Sequence, residues 1–198
     1  MINKFKDSFK EQTVWIIGKG PSLQYLTKED IDPGPVITIN EAIIKIEEIG
    51  LPNFVFSMQM DGGKRKRYPH KSNPGCDYTP NCGDRCGHMY RPKKGATLLF
   101  HVYQALYCFP DYSPRYVFNS SDLGLPRSTF SLPVAVKIGI LMGCNRFHFV
   151  SCDSYVNGCV ESYIPNIGIV GTRPGYMNQV RRTQPYLIGL DCKWITPV

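Results

Sequence analysis

Short apolar runs separated by glycine, proline and polar residues set the rhythm of the first third of the chain. Residues 14–17 (Val-Trp-Ile-Ile) stop abruptly at Gly18-Lys19-Gly20-Pro21-Ser22. A run of this kind, β-branched and bounded by glycine, reads as a strand buried on both faces. Residues 22–31 are predicted helical, and Asp32-Pro33-Gly34-Pro35 breaks them. A second strand spans 36–39 and ends at Asn40. Residues 41–49 place Ile43, Ile46 and Ile49 at helical spacing, and a third strand, 54–58, leads towards Asp61-Gly62-Gly63. Strand, helix, strand, helix, strand implies right-handed crossovers and a parallel sheet.

The rhythm lapses over residues 64–96, which are rich in Gly, Pro, Cys and basic side chains, and resumes afterwards. Residues 97–107 are apolar and favour a helix over a strand. A short strand is predicted at 116–118, a helix at 131–142 with Ser131 as its N-cap, a strand at 146–151, a helix at 174–187 and a last strand at 193–195. The lead-in, 1–12, is polar, with room for one short helix. The expected fold class is α/β: a Rossmann-like parallel sheet with helices on both faces. It forms a single nucleotide-binding domain over 1–198, carrying a basic, Cys-rich loop insertion at about 64–96.

Composition narrows the partners. With 198 residues, 42% hydrophobic and 20% charged, the chain is long enough for a real core. A net charge of +7 favours an anionic partner: nucleotide, nucleic acid or membrane surface. No apolar run reaches spanning length, and the mixed charge of 1–12 is unlike a signal peptide, so the expected location is cytoplasmic. The 8 cysteines are then thiols or metal ligands. Cys108, Cys144, Cys152 and Cys192 fall in apolar segments and read as small core residues.

In an open parallel sheet, ligands bind beyond the carboxyl ends of the strands. Those ends carry Gly18 to Ser22, Asn40, Gln59 and Asp61, Asn119 to Ser121, and Asp153 to Tyr155. Glycines permit a sharp turn and close approach, Pro21 suits a first helical turn, and a helix start presents N–H groups to a phosphate. Cys76, Cys82, Cys86 and His88 offer thiolates and an imidazole at a spacing compatible with a structural zinc that would order the insertion. Beside them, Lys64, Arg65, Lys66 and Arg67 form a basic run suited to nucleic acid or an anionic glycan, or simply to solvent.

The motifs Gly18-Lys19-Gly20-Pro21-Ser22-Leu23 and Thr38-Ile39-Asn40 resemble the opening of bacterial sialyltransferases that use CMP-sialic acid. That opening is shared with the related motility accessory factor and 6-hydroxymethylpterin pyrophosphokinase group. Ser131 with its apolar helix, Phe147-His148-Phe149-Val150-Ser151-Cys152-Asp153 and Tyr155-Val156-Asn157-Gly158 continue the resemblance in order. It implies that Gly18, Lys19, Gly20, Pro21 and Ser22 lie against the donor nucleotide, and that Asn40 contacts it near phosphate and sugar. Ser131 would hold the nucleotide or the sugar carboxylate. Tyr155 and Tyr163 would donate hydrogen bonds to the leaving phosphate, so that no metal is required for catalysis.

The family's general base is a histidine in a lid segment before the last helix. Here the histidines are His70, His88, His101 and His148, and the matching stretch offers only Thr172 and Arg173. Either Asp61, Asp153 or Glu161 serves as base, or the acceptor differs, or sialyl transfer is not the reaction. Arg173, Arg181 and Arg182 are candidates for binding an anionic donor or acceptor, or form a solvated face. One alternative is a magnesium-dependent nucleotide pyrophosphokinase with Asp61 and Asp153 as metal ligands. Another is a non-catalytic nucleotide- or nucleic-acid-binding protein.

Overall fold

The computed structural model describes residues 2–50, 54–60, 92–93, 95–102, 112–126, 129–159 and 173–198, with side chains not described at 173–176. Seven strands form one sheet: β1 (Thr13–Ile17), β2 (Val36–Ile39), β3 (Val55–Gln59), β4 (Thr97–His101), β5 (Arg115–Phe118), β6 (Arg146–Val150) and β7 (Asp191–Ile195). Their order is β5-β4-β3-β2-β1-β6-β7, and every pairing is parallel. The chain works outward from β1 to β5, then returns to the other flank of β1 for β6 and β7. The strand order therefore reverses between β1 and β6, where an open α/β sheet leaves a crevice.

Strand alternation divides the core in two. Val14 and Ile16 of β1 pack with Ile37, Phe56, Leu99 and Phe149 on one face, while Trp15 and Ile17 pack with Val36 and Val150 on the other. Both sets are buried, which is why the strands read as continuous apolar runs. Helix α1 (Ile43–Ile49) and the 3₁₀ turns Pro21–Tyr25 and Lys28–Asp30 cover the Trp15 face through Leu23, Leu26, Ile43 and Ile46. Helix α2 (Ser131–Leu141) covers the Val14 face and is buried almost all round. A Cβ on Gly139 would lie 2.9 Å from Phe147 Cε1 and 3.0 Å from Val14 Cγ1, so glycine lets α2 sit directly on β1 and β6. Among the described residues, helices α3 (Asp153–Val156) and α4 (Arg173–Thr183) follow β6.

Four expectations change. Residues 97–101 form a strand, not a helix: Leu98, Leu99 and Phe100 are fully buried between β3 and β5, so no alternation shows in their pattern. Residues 22–31 are two 3₁₀ turns, because Thr27 starts afresh with a capping box to Asp30. Phe130, not Ser131, is the N-cap of α2, and Ser131 is its first helical residue. The lead-in joins the core: Ile2 and Phe9 are buried, and the Phe5 ring stands edge-on to Phe56 at 5.0 Å. The zinc candidates Cys76, Cys82, Cys86 and His88, the basic run from Lys64 to Arg67, and Asp61, Glu161 and Tyr163 lie outside the described residues.

Candidate functional site

At the end of β1, Ile17 is flanked in register by Thr38 of β2 and Val150 of β6. The glycine turn that follows is tied to the end of β6. Gly18 N–H donates to Val150 O at 2.8 Å and Gly20 N–H to Ser151 O at 2.9 Å. Asp153 completes the junction: Ser22 donates its N–H to Oδ2 at 2.8 Å and its hydroxyl to Oδ1 at 2.7 Å. A Cβ on Gly18 would meet Ser151 O at 2.5 Å, and one on Gly20 would collide with the Asp153 carboxylate. The glycines thus have a structural reason beyond any ligand: the turn packs backbone-close against β6. The N–H groups of Gly18, Gly20 and Ser22 serve protein acceptors, and Pro21 has none to offer. These three N–H groups therefore do not form an open cradle for an anion.

On the other flank, Lys19 Nζ meets Glu41 Oε2 at 3.0 Å. The Lys19 side chain is 15% exposed and that of Glu41 0%, so a charged pair bridges the ends of β1 and β2 with its carboxylate buried. Glu41 escaped the sequence reading because an acid just after a strand and before a helix resembles an ordinary first-turn charge. Asn40 adopts a left-handed backbone (φ 51°), which asparagine tolerates better than most residues. Its Oδ1 accepts the Met60 N–H at 3.0 Å, and its carbonyl accepts from Gln59 Nε2 at 3.2 Å. Gln59 Nε2 also donates to Ser57 Oγ at 2.7 Å. Further out, His101 Nε2 lies 3.2 Å from Ser120 Oγ, joining the ends of β4 and β5, and burial lowers the His101 pKa.

Most buried polar side chains of the sheet gather towards one end of the strands. Ser22, Thr38, Asn40, Glu41, Gln59, His101, Ser120, Ser151 and Asp153 are buried in or beyond the carboxyl-terminal parts of the strands, Ser57 is buried in mid-strand, and Lys45 and Thr183 are buried on α1 and α4. Among the described residues, Trp15 Nε1 and His148 Nδ1 in mid-strand have no hydrogen-bond partner, and nor do the Thr38 and Ser151 hydroxyls, although the latter two residues are fully buried. The two hydroxyls flank the end of β1 on its two sides. Native structures rarely leave such groups unmet without a water or a ligand at hand.

Tyr155 lies on α3 beyond β6. Its ring stacks on Trp194 of β7 at 5.8 Å and 19°, and its hydroxyl lies 3.2 Å from Thr183 Oγ1 on α4. Ser131 is half-buried at the start of α2, where the Arg182 guanidinium lies 5.1 Å over the neighbouring Phe130 ring. The fold therefore brings Lys19, Asn40, Ser22 and Asp153 to the strand-order reversal, with Tyr155 on the β6 side. Cys152 lies under the turn, its thiol pushed up to about 12 first by burial and then by Asp153, and Cys144 is raised to about 11 by burial. Both are inert core thiols, as expected. Among the described residues no group of three or more His, Cys, Asp or Glu could hold a metal, and no helix is long and apolar enough to cross a membrane. No protein-family model matches the chain, and no curated protein matches it.

Proposed function

We propose that the chain binds a CMP-activated acidic sugar at the carboxyl ends of β1, β2 and β6 and transfers the sugar to an acceptor. It would then act as a glycosyltransferase resembling the CMP-sialic-acid enzymes. The observation that carries this reading is the concentration of buried polar side chains, two of them unmet hydroxyls, around the end of β1 where the strand order reverses. In this reading Lys19 and Asn40, at the ends of β1 and β2, would meet the phosphate and its sugar, and Ser131 opens the helix on the opposite face. In the reaction the acceptor oxygen forms a bond to the anomeric carbon as the glycosyl–phosphate bond breaks. The bonding pair leaves on the phosphate oxygen, where O–H donors such as Tyr155 and Tyr163 stabilise it. The acceptor proton passes to a carboxylate, Asp61, Asp153 or Glu161, in place of the family's histidine.

The pyrophosphokinase alternative asks Asp61 and Asp153 to ligate magnesium. Both Asp153 oxygens already accept hydrogen bonds from Ser22, which counts against it. A nucleotide-binding role without catalysis is the second reading. It is favoured by the absence of histidine after His148.

Calorimetric titration with CMP, CDP, GDP, UDP and ATP, with and without magnesium, tests the proposal. Selective CMP binding without magnesium, weakened at least tenfold by Asn40→Ala, is the expected result. Binding confined to a triphosphate with magnesium, or to no nucleotide, overturns it. CMP binding with no turnover of any CMP-sugar leaves the non-catalytic reading in its place.

A further inference from the structure

Strand β7 ends the sheet, with β6 on one side and, among the described residues, no strand on the other. Ile195 O accepts the Ser151 N–H at 3.1 Å, so the backbone groups of Ile195 face β6. Backbone groups alternate in direction along a strand. Those of Asp191 and Lys193 therefore also face β6, and those of Cys192 and Trp194 face outward. Outward N–H and C=O groups are a template for another strand. The side chains alternate as well. Cys192 packs against the core on the Val14 face, and Trp194 stacks there on Phe149 at 4.5 Å and 25°, which leaves Asp191 and Lys193 on the opposite face. Both charged residues are exposed, and among the described residues neither has a salt-bridge partner.

We propose that β7 pairs antiparallel with β7 of a second copy of this chain, about a two-fold axis at Cys192, so that two sheets join into one. Charge complementarity chooses this occupant and this register. A two-fold pairing that keeps each side chain on its own face is centred on a residue. Centred on Lys193, it sets lysine against lysine. Centred on Trp194, it sets Lys193 against Ile195. Centred on Cys192, it sets Asp191 against Lys193 of the second copy, and does so twice. The backbone agrees with that centre. Cys192, whose N–H and C=O face outward, exchanges both hydrogen bonds with its counterpart. Asp191 and Lys193, whose groups face inward, fall in the non-hydrogen-bonded positions, where opposed side chains stand closest. On the other face Trp194, 37% exposed, comes opposite the half-buried Leu190. A lysine on an edge strand ordinarily keeps other strands away. Here an aspartate two residues earlier answers it. The inference is independent of what the polar end of the sheet binds.

Sedimentation equilibrium of the full chain over a concentration series tests it. Asp191→Lys sets lysine against Lys193 of the second copy, and Lys193→Asp sets aspartate against Asp191. Each is expected to raise the dimer Kd at least about tenfold, since two attractive pairs become two repulsive ones. Two recoveries are expected. The swap Asp191→Lys/Lys193→Asp restores opposite charges and returns the Kd to within about threefold of wild type. An equimolar mixture of the two single variants forms a mixed dimer that neither forms alone, which also shows that both are folded. A wild type that stays monomeric up to about 0.5 mM overturns the inference. So does a dimer whose Kd the single variants leave unchanged, because another surface then makes it. Single variants that dissociate and do not recover in the mixture overturn it too.

Discussion

Followed from one end to the other, the central strands pass through two kinds of interior. Their earlier positions are occupied by Val14, Trp15, Val36, Ile37, Phe56 and Phe147, all buried and apolar. Beyond their carboxyl ends come Asn40, Glu41, Ser151 and Asp153, as deeply buried but polar or charged. The first kind stabilises the fold simply by leaving water, at about 25 cal/mol per Å². The second kind loses hydration and breaks even only through specific bonds: Lys19 to Glu41, Ser22 to Asp153, Asn40 to Met60. One end of the sheet is thus a core, and the other is a set of mutually dependent polar contacts gathered at the strand-order reversal. That contrast makes definite demands on variants.

The largest effect belongs to Lys19→Met. It removes the Lys19 ammonium from the buried Glu41 carboxylate, and a broken buried pair costs about 3–5 kcal/mol. Urea unfolding should show this as a lower midpoint, and Lys19→Met/Glu41→Leu should recover most of it. A double variant no more stable than the single one would mean that the charge of Glu41 is held for reasons other than Lys19. Next comes Gly20→Ala. Gly20 has an ordinary extended backbone (φ −66°), so the obstacle is space: the new methyl would collide with Asp153. A loss of about 1–3 kcal/mol is expected from overpacking. It should shrink in an Asp153→Ala background. If Gly20→Ala leaves stability intact and harms only ligand binding, the glycine serves the ligand and the β1–β6 junction is looser than described.

The smallest effect is on pH dependence. Burial lowers the His101 pKa below its ordinary 6.5, so the folded chain keeps a neutral imidazole over a range where the unfolded chain takes up a proton. The contribution of His101 to stability is complete above about pH 6.5 and is lost as pH falls from there through the lower, folded pKa. The slope is at most about 1.4 kcal/mol per pH unit for one proton. Thermal melts between pH 7.5 and 5 should show a shallower acid decline in His101→Gln than in wild type. Identical declines would assign the acid sensitivity to other groups.

Much of this organisation was legible in the chain. The runs at 14–17 and 36–39, each ending in polar or glycine residues, were enough to predict parallel strands with a cleft at their carboxyl ends. The convergence of Ser22, Asn40 and Asp153 followed from that rule. What stayed hidden was whatever depends on distant partners. The Ser22–Asp153 contact joins residues 131 positions apart, and no local pattern announces it. Glu41 looked like a solvated helix charge until β2 placed it beside Lys19. Leu98, Leu99 and Phe100 are apolar on both sides of the strand and so carried no period to separate strand from helix. The phenylalanines of the lead-in were masked by the lysines and acids between them, although Phe9 packs edge-on to Phe56 at 5.8 Å.

The central claim is that the polar end of the sheet, at the reversal between β1 and β6, is where a nucleotide sits. Hydrogen exchange of the backbone amides, compared without ligand and with saturating CMP, tests it most directly. The account predicts added protection concentrated in residues 18–22, 40–42 and 151–155, with the amino-terminal ends of the same strands unchanged. Protection confined to other segments, or none at saturating CMP, would contradict it.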